Sequence, residues 1–361
     1  MEAKNSLRIS KEQNAYLDEM MQGVSRSFAL VAPSIEPQLS SYMATAYLIC
    51  RVVDNIEDTH ESFGWQQVRF AEFTELLDHP DQAERILSGW DRLDWPGLTD
   101  AEKEMMTIKN GLMLWQIFTQ TPEPYRQSIQ RWAAVMAIGM ERSNNPYTSN
   151  YFFGHGDFRL PRLESDYDLY CFYVAGTVGR MITELAIQFY GLGDNAASLL
   201  LNSSDACGRA LQKTNIVKDF VKDLQRGVCY LPGEWMYDLN YAPLSLNGVP
   251  PAWKKMVLQN VLQELEDSVS YVLALPQNAV GYRQAGLLMM YPALETVLLA
   301  ARRLPDLFTP RHAVKISRVT MGQCILRARR MAGDNWAIRT YVDEMSHKIR
   351  AQLDLVTAVM Q

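Results

Sequence analysis

Cysteine and histidine are scarce in this sequence, and neither is arranged as a metal site. No two cysteines form a Cys-x-x-Cys pair, and the five histidines stand singly. An odd number of dispersed cysteines is typical of a protein from a reducing compartment. The spacing therefore argues against a disulfide framework and against a zinc site. The cysteines are Cys50, Cys171, Cys207, Cys229 and Cys324.

A long uninterrupted hydrophobic run is also absent. A membrane-spanning helix needs about 20 apolar residues, and the nearest approach, residues 285–301, is interrupted by Pro292 and Glu295. The opening MEAKNSLRISKEQ contains no apolar signal core. These features predict a cytoplasmic protein without a transmembrane segment. Peripheral contact with a membrane, through which a lipid product could be released, is compatible with this prediction.

Charge of one sign does not accumulate over the whole chain. Lys and Arg number 35 against 41 Asp and Glu, which gives a net charge of −6. This balance argues against a nucleic-acid partner, although it is compatible with a local basic pocket. Hydrophobic residues make up 48% and charged residues 21%, a globular composition that excludes disorder.

Helical periodicity is the strongest positive signal. Residues 162–231 contain no proline, and apolar residues recur there at intervals of three and four. Alternating strand patterns are missing, and residues 144–162 are expected to form a long loop. We predict ten or more helices in a single all-α domain over residues 1–361, with Ser10 and Thr99 as helix caps.

The first chemically informative segment is YLICRVVDNIED at 47–58. In a helix, Asp54, Glu57 and Asp58 share one face, with Arg51 one turn earlier. Carboxylates that converge in this way repel one another unless a cation lies among them, and Mg²⁺ prefers such oxygen ligands. A solvated acidic helix face is the competing interpretation. The opposite side should be buried through Leu48, Val52 and Ile56.

The second segment is QKTNIVKDFVKD at 212–223. Asn215, Asp219 and Asp223 fall at i, i+4 and i+8, a line of oxygen ligands down one helix face. Lys218 and Lys222 leave open the alternative that these are ordinary surface ion pairs. Two such helices within one apolar all-α chain could hold Mg²⁺ against a diphosphate and assist its departure.

Several basic side chains and one hydroxyl are candidates for binding phosphate groups of a substrate or cofactor. Arginine can clamp phosphate oxygens in a bidentate manner, and isolated surface residues are the competing interpretation. The candidates are Ser25, Arg26 and Phe28 in one turn, Arg226 beyond the second acidic helix, and Lys315 with Arg318.

Small residues interrupt the helical run at 170–179. Gly176 and Gly179 each cost about 1 kcal/mol of helix propensity. Their lack of side chains makes room either for a tight helix crossing or for a long apolar ligand, and both interpretations stay open.

Together these segments resemble the squalene/phytoene synthase family, and within it the squalene synthase branch in a soluble, bacterial-type form. Several ordered motifs are more specific than any one of them. The motifs are SRSF at 25–28, YLICRVVDNIED at 47–58, YCFYVAGTVG at 170–179, QKTNIVKDFVKD at 212–223, YLP at 230–232 and VKIS at 314–317.

The resemblance implies the all-α isoprenoid synthase fold, a helical barrel around a deep apolar cavity. It implies two Mg²⁺-binding motifs and a tyrosine, Tyr170, that acts in the first half-reaction. The implied metal ligands are Asp54, Glu57, Asp58, Asn215, Asp219 and Asp223. The implied catalytic, phosphate-binding and cavity residues are Tyr170, Tyr47, Arg51, Ser25, Arg26, Phe28, Lys218, Arg226, Lys315, Arg318, Tyr173, Val174, Gly176, Val178, Gln212 and Pro292.

The implied reaction is the Mg²⁺-dependent, head-to-head joining of two farnesyl diphosphates to presqualene diphosphate. Reduction by NADPH to squalene would follow. Because no Rossmann glycine motif occurs in the sequence, NADPH would be held by Arg and Lys contacts. The alternatives are a non-reductive relative that makes dehydrosqualene, presqualene diphosphate or phytoene, and an inactive helical scaffold.

Three departures from the family pattern bear on the reductive step. Lys218 stands where animal squalene synthases have Arg, which keeps the charge but loses the bidentate fork. Ser317 replaces a family Arg, and residues 288–293 keep Pro292 but lack the usual Phe-Cys and Gln. The membrane anchor of the eukaryotic enzymes is not found at the end of this sequence either.

Overall fold

A computed structural model describes residues 9–25, 30–147, 152–155, 158–237, 248–309 and 314–360. They form two compact units, each with its own core. One is Met1–Asn145 with Arg180–Leu192, and the other is Pro146–Gly179 with Gly193–Gln361. The all-α prediction is confirmed, while the single domain over residues 1–361 stays a prediction.

The first unit is built around one long helix, α2. It packs against α1, α3, α6 and α7, and Leu48, Val52 and Ile56 are buried as the sequence predicts. Burial of this side leaves the acidic face on the other. The helices are α1 (Lys11–Val24), α2 (Pro37–Asp58), α3 (Phe63–Asp78), α4 (Ala83–Trp90), α5 (Asp100–Met105), α6 (Ile108–Gln120) and α7 (Glu123–Asn144).

Capping boxes start two of these helices. The Ser10 hydroxyl accepts a hydrogen bond from the Gln13 backbone amide, and the Gln13 side chain accepts one from the Ser10 amide. Thr99 and Glu102 make the same reciprocal pair at α5. Each box satisfies two amides that a helix N-terminus would otherwise leave unpaired. The caps predicted at Ser10 and Thr99 are therefore confirmed.

The second unit adds a short hairpin and the longest helices. Its elements are β1 (Phe152–His155), β2 (Phe158–Pro161), α8 (Glu164–Cys171), a π-helical turn (Phe172–Gly176), α9 (Thr177–Tyr190), α10 (Asp194–Gln225), the single turn α11 (Glu234–Tyr237), α12 (Pro251–Ala274), α13 (Val280–Arg302), α14 (Arg318–Met331) and α15 (Asn335–Met360). From Arg180 onward, α9 belongs to the first unit.

The expected loop at residues 144–162 is the place where the sequence-based assignment was wrong. Strands β1 and β2 pair antiparallel there, with Phe153 opposite Leu160 and Gly154 opposite Arg159. Four-residue strands are too short to display a clear alternating pattern. The periodicity of the sequence therefore could not reveal them.

Strand β2 also fixes the chain that leaves α10. The helix ends in a Schellman motif, in which Val228 donates to the Asp223 carbonyl and Gly227 donates to the Leu224 carbonyl. Gly227 has a φ of 77°, which a side chain would disfavour. Arg159 of β2 then exchanges backbone hydrogen bonds with Gly227 and Cys229. The end of the second acidic helix is thereby held against β2, the strand that leads into α8.

Helix α13 is continuous through Pro292, the residue that with Glu295 interrupts the apolar run in the sequence. By length and composition alone it could cross a membrane, but 67% of its most apolar window is buried inside the protein. Its buried residues pack against α12, α14 and α15. This burial is typical of a core helix.

An arginine without a carboxylate partner among the described residues joins three helix ends in this core. Arg283 of α13 is fully buried. It donates to the carbonyls of Val272 and Leu275 at 2.9 and 2.7 Å, and also to the Ala332 carbonyl and the Asn335 side chain. Carbonyls at helix C-termini carry partial negative charge, so they stabilise the guanidinium in place of an acid.

We expect Arg283→Met to lower the free energy of unfolding by about 3 kcal/mol or more, since it leaves several buried carbonyls without donors. Chemical denaturation followed by circular dichroism measures this. Arg85→Met is the matched control, because Arg85 is exposed and pairs with Glu75 on the surface; it should change stability by less than about 1 kcal/mol. Equal effects of the two substitutions would contradict the role assigned to Arg283.

Candidate active site

The first acidic motif forms one half-buried face of α2. Asp54, Glu57 and Asp58 are each partly exposed, whereas the residues between and beside them are buried. The Asp54 side chain is 24% exposed. The structure thus brings the three predicted carboxylates onto one face of one helix.

Arg51 lies at the start of this face and is held by two carboxylates. It donates to Asp54 Oδ2 at 3.2 Å, and a second guanidinium nitrogen contacts Glu102 Oε1. The other oxygen of Glu102 accepts hydrogen bonds from the Thr99 amide and hydroxyl at 2.8 Å. The capping box holds the Glu102 side chain in one position. Glu102 in turn orients the guanidinium group of Arg51.

Burial has the largest effect on the pKa values of this face. Burial raises the pKa of the Asp54 carboxyl to about 7; Arg51 partly offsets this, and Asp58 adds to it. Burial also raises the pKa of the Tyr47 hydroxyl, against a hydrogen bond with Ser25 and the charge of Arg51, which lower it. Ser25, Tyr47, Arg51 and Asp54 therefore form one connected cluster.

The second acidic motif follows the outer side of α10. Asn215 and Asp219 are exposed and Asp223 is half-buried, while Ile216 and Phe220 point into the core. Lys218 donates to the Asn215 side-chain oxygen at 3.1 Å. The predicted division of α10 into an oxygen-rich side and an apolar side is therefore what the structure shows.

Both carboxylate faces suit Mg²⁺ by the chemistry of their donors. All the candidate ligands are oxygens, and the pKa of Asp54 is raised by burial first and by the neighbouring Asp58 second, both of which disfavour an uncompensated carboxylate. Within the described ranges, no three Asp, Glu, His or Cys side chains converge closely enough to hold a metal ion by themselves. A Mg²⁺ ion at either face would therefore need most of its ligands from a bound diphosphate and water.

Tyr170 lies near the end of α8 and is 4% exposed. Its ring stacks on that of Tyr230, with centroids 4.7 Å apart and planes 16° from parallel. Immediately afterwards the chain makes the π-helical turn at Phe172–Gly176, a rare feature often found at functional sites. Tyr170 is thus fixed by a second aromatic ring from the YLP motif.

The glycines near this turn allow a very close helix crossing. A methyl group on Gly179 would lie 2.3 Å from the Ser204 carbonyl oxygen, and one on Gly208 would lie 2.1 Å from that of Ala175. Both distances are far inside van der Waals contact, so neither position tolerates a side chain. At Gly176 the added carbon would meet the Phe172 ring at 2.8 Å. Of the two interpretations left open, the tight crossing is confirmed.

A buried network of charges ties three helices of the second unit together. The Lys213 ammonium of α10 lies 2.6 Å from Asp168 Oδ1 of α8 and 2.7 Å from Glu264 Oε2 of α12. Arg209 pairs with Glu264 at 2.7 Å and with Asp205 at 3.0 Å. Burial alone would lower the pKa of Lys213, but Glu264 and Asp168 outweigh it and raise that pKa. Lys213 therefore stays charged, and it holds α8, which carries Tyr170, against α10.

Sequence reasoning missed Glu102 and Lys213. Lys213 carries a signal that could have revealed it, because it falls on the same helical stripe as Ile216, Val217 and Phe220 and is therefore predicted to be buried. A buried lysine requires an acidic partner. Glu102 could be recognised as a cap, but its contact with a residue 51 positions away leaves no local trace.

The other candidates divide between the core and the surface. Lys315 and Arg318 are exposed on either side of Ser317, whose hydroxyl caps the N-terminus of α14 by accepting from the Thr320 amide at 3.0 Å. Two cations at a helix N-terminus fit the phosphates of a dinucleotide. Arg226 is exposed, and Tyr173, Val174, Val178, Gln212 and Pro292 are half-buried. Arg26 and Phe28 lie outside the described residues.

Comparison with known proteins gives concordant matches. The squalene/phytoene synthase family matches residues 21–320. The squalene synthase of Cyberlindnera jadinii is 28% identical over 337 residues, covering 91% of this chain and 70% of that protein.

Two solved structures share the fold. TcSQS in complex with the ligand E5700 has a TM-score of 0.73 at 20% identity, over 96% of this chain and 99% of that one. A dehydrosqualene synthase bound to a ligand has a TM-score of 0.62 at 20% identity, over 89% and 96%. The predicted all-α isoprenoid synthase fold is confirmed.

Proposed function

Because this chain belongs to the squalene/phytoene synthase family, we propose that it joins two farnesyl diphosphates head to head and reduces the resulting presqualene diphosphate to squalene. The observation that carries the proposal is the half-buried carboxylate face of α2, where Asp54, Glu57 and Asp58 adjoin Arg51. Similarity to a squalene synthase over 91% of the chain supports the assignment.

In the first half-reaction, the acidic faces bind and orient the diphosphates. Asp54, Glu57 and Asp58 of α2 would be one set of Mg²⁺ ligands, and Asn215, Asp219 and Asp223 of α10 would be a second set. The metal would supply charge that neutralises the leaving diphosphate. Arg51, oriented by Glu102, offers two N–H donors to a phosphate oxygen pair. The allylic C–O bond of one substrate breaks, and the double bond of the second attacks the cation.

Loss of a proton then closes the cyclopropane ring of presqualene diphosphate. We assign this proton transfer to Tyr170, whose hydroxyl is held in place by the stack with Tyr230 and by the Lys213 network behind α8. A buried phenol held in one orientation can pass a proton to the released diphosphate without a large rearrangement.

In the second half-reaction, the chain must hold NADPH, which supplies the hydride. Lys315 and Arg318, exposed at the N-terminus of α14, would supply positive charge for its phosphates. Arg26 and Lys218 are the further candidates from the family pattern. Ser317, which stands in place of a family Arg, keeps this helix end capped.

Incubation of the purified protein with farnesyl diphosphate and Mg²⁺, with and without NADPH, tests the function directly when products are identified by mass. Squalene formed only with NADPH is the expected result. Dehydrosqualene as the sole product under both conditions would favour a non-reductive enzyme, an alternative supported by the likeness to a dehydrosqualene synthase. Absence of any diphosphate release would favour an inactive scaffold.

Lys315→Ala separates the two half-reactions. We expect it to leave presqualene diphosphate formation nearly unchanged but to weaken NADPH affinity about 10- to 150-fold, because one charge-assisted phosphate contact contributes about 1.5–3 kcal/mol. The measurements are squalene yield and accumulated intermediate as NADPH is varied, and high NADPH should restore part of the squalene.

Lys348→Ala is the control for loss of one exposed lysine, since Lys348 pairs only loosely with Glu344 at 3.8 Å. It should alter neither product. If Lys315→Ala slowed both half-reactions equally and excess NADPH rescued neither, Lys315 would not be a cofactor ligand.

A further inference from the structure

Helix α14 combines exposed apolar side chains with positive charge. Val319 is 71% exposed and Leu326 is 55% exposed, and their separation of seven positions, about two turns, puts them on the same face. Arg330 lies one turn beyond Leu326 on this face, and Arg329 lies beside it; both are exposed. We call Val319, Leu326, Arg329 and Arg330 the α14 outer face.

The inner side of α14 is firmly attached to the protein. Cys324 and Ala328 are fully buried and small, which allows a close approach to α13 and α15. Arg327 stacks over the Tyr341 ring at 4.4 Å and lies 3.7 Å from Glu295. The apolar residues of the outer face are therefore not required to hold the helix in place.

Charge around this helix is opposite to that of the chain as a whole. Residues 314–333 contain five Lys and Arg and no Asp or Glu, in a protein whose net charge is −6. The first acid beyond the helix, Asp334, accepts a hydrogen bond from the Ala337 amide at the start of α15. Two residues after it comes Trp336, which is 76% exposed.

We propose that the α14 outer face is a docking surface for an anionic lipid bilayer. Apolar side chains flanked by arginines on one face of a helix suit the boundary between headgroups and acyl chains, and indole rings favour the same depth. The local positive charge selects an anionic surface and orients an otherwise acidic protein toward it. The inference does not depend on the proposed reaction.

Vesicle co-sedimentation tests this surface with two lipid compositions, phosphatidylcholine alone and phosphatidylcholine mixed with phosphatidylglycerol. We expect binding to the anionic vesicles, release at high salt, and little binding to the neutral ones. The double variant Arg329→Gln/Arg330→Gln should bind anionic vesicles about 30-fold more weakly, since each cation near such a surface contributes about fivefold in affinity. Leu326→Ser should weaken binding about tenfold.

Matched controls come from the same unit. Arg302→Gln/Arg303→Gln removes another pair of consecutive exposed arginines, and Leu199→Ser removes another exposed leucine. Both should leave vesicle binding within about twofold of the parent, and all four variants should keep the parent circular dichroism spectrum and its diphosphate release in the absence of vesicles.

Three results would each overturn the proposal. One is failure of the parent protein to bind anionic vesicles, and another is equal loss of binding in the control variants. The third is a dimer in solution that Leu326→Ser dissociates, because the face would then be covered by a second copy. None of these measurements depends on catalysis, so they can be interpreted even if the protein does not catalyse the proposed reaction.

Discussion

Alanine in place of Asp219 is expected to lower Mg²⁺-dependent release of diphosphate from farnesyl diphosphate by roughly 10³-fold, because a bound metal ion supplies several kcal/mol of charge stabilisation. Asp219 is exposed on α10, so its loss should change the free energy of unfolding by less than about 0.5 kcal/mol. Asp54→Ala should give a loss of similar size from the face on α2. Steady-state release at several Mg²⁺ concentrations, with thermal unfolding alongside, measures both effects.

Asp267→Ala provides the matched control for these carboxylates. Asp267 is exposed on α12 and accepts a hydrogen bond only from Gln263, one turn earlier, among the contacts of the described chain. Its substitution should leave diphosphate release unchanged. The contrary result is near-normal turnover by Asp219→Ala and Asp54→Ala at the Mg²⁺ concentration that saturates the parent. Both acidic faces would then be ordinary solvated helix surfaces.

Tyr170→Phe should reduce formation of presqualene diphosphate by about 10²-fold or more, the usual loss when a positioned proton-transfer group is removed. The substitution deletes one hydroxyl and keeps the aromatic ring that stacks on Tyr230 at 4.7 Å. A packing role alone would therefore be preserved. Single-turnover formation of presqualene diphosphate without NADPH isolates this step from the later reduction.

Tyr167→Phe is a close control, since it removes a hydroxyl three residues earlier on the same helix. The Tyr167 hydroxyl is buried and lacks a hydrogen-bond partner among the described residues, and the ring itself packs under the Lys213 ammonium at 5.0 Å. This variant should form presqualene diphosphate at the parent rate. Unchanged rates in both variants would leave Tyr170 as a core residue.

Much of the fold follows from local rules. Apolar spacing and capping residues specify where helices such as α1, α2 and α5 begin and which side is buried, because both depend on residues within four positions of each other. Strands β1 and β2 are too short to show an alternating pattern, and β2 is held by Gly227 and Cys229 from far along the chain. The π-helical turn depends on a local change in the helical hydrogen bonds. Neither the hairpin nor the π-helical turn leaves a signal in the local periodicity of the sequence.

The candidate site divides in the same way. Asp54, Glu57 and Asp58 could be placed on one face from their spacing alone, and the structure agrees. The roles of Glu102 and Tyr230 could not be predicted from spacing. Glu102 contacts Arg51 from a different helix. Tyr230 contacts Tyr170 from the segment that β2 holds in place. Which carboxylates hold Mg²⁺ stays a prediction.

The charge network behind Tyr170 also constrains how this sequence can change over generations. Among the described residues, loss of Glu264 alone would leave the Lys213 ammonium, 2% exposed, with Asp168 as its one acidic partner. An unpaired buried charge costs several kcal/mol, whereas replacement of the whole set by apolar residues can be neutral. Substitutions at positions 213 and 264 are therefore expected to be accepted together or not at all, so these two positions should covary among related sequences.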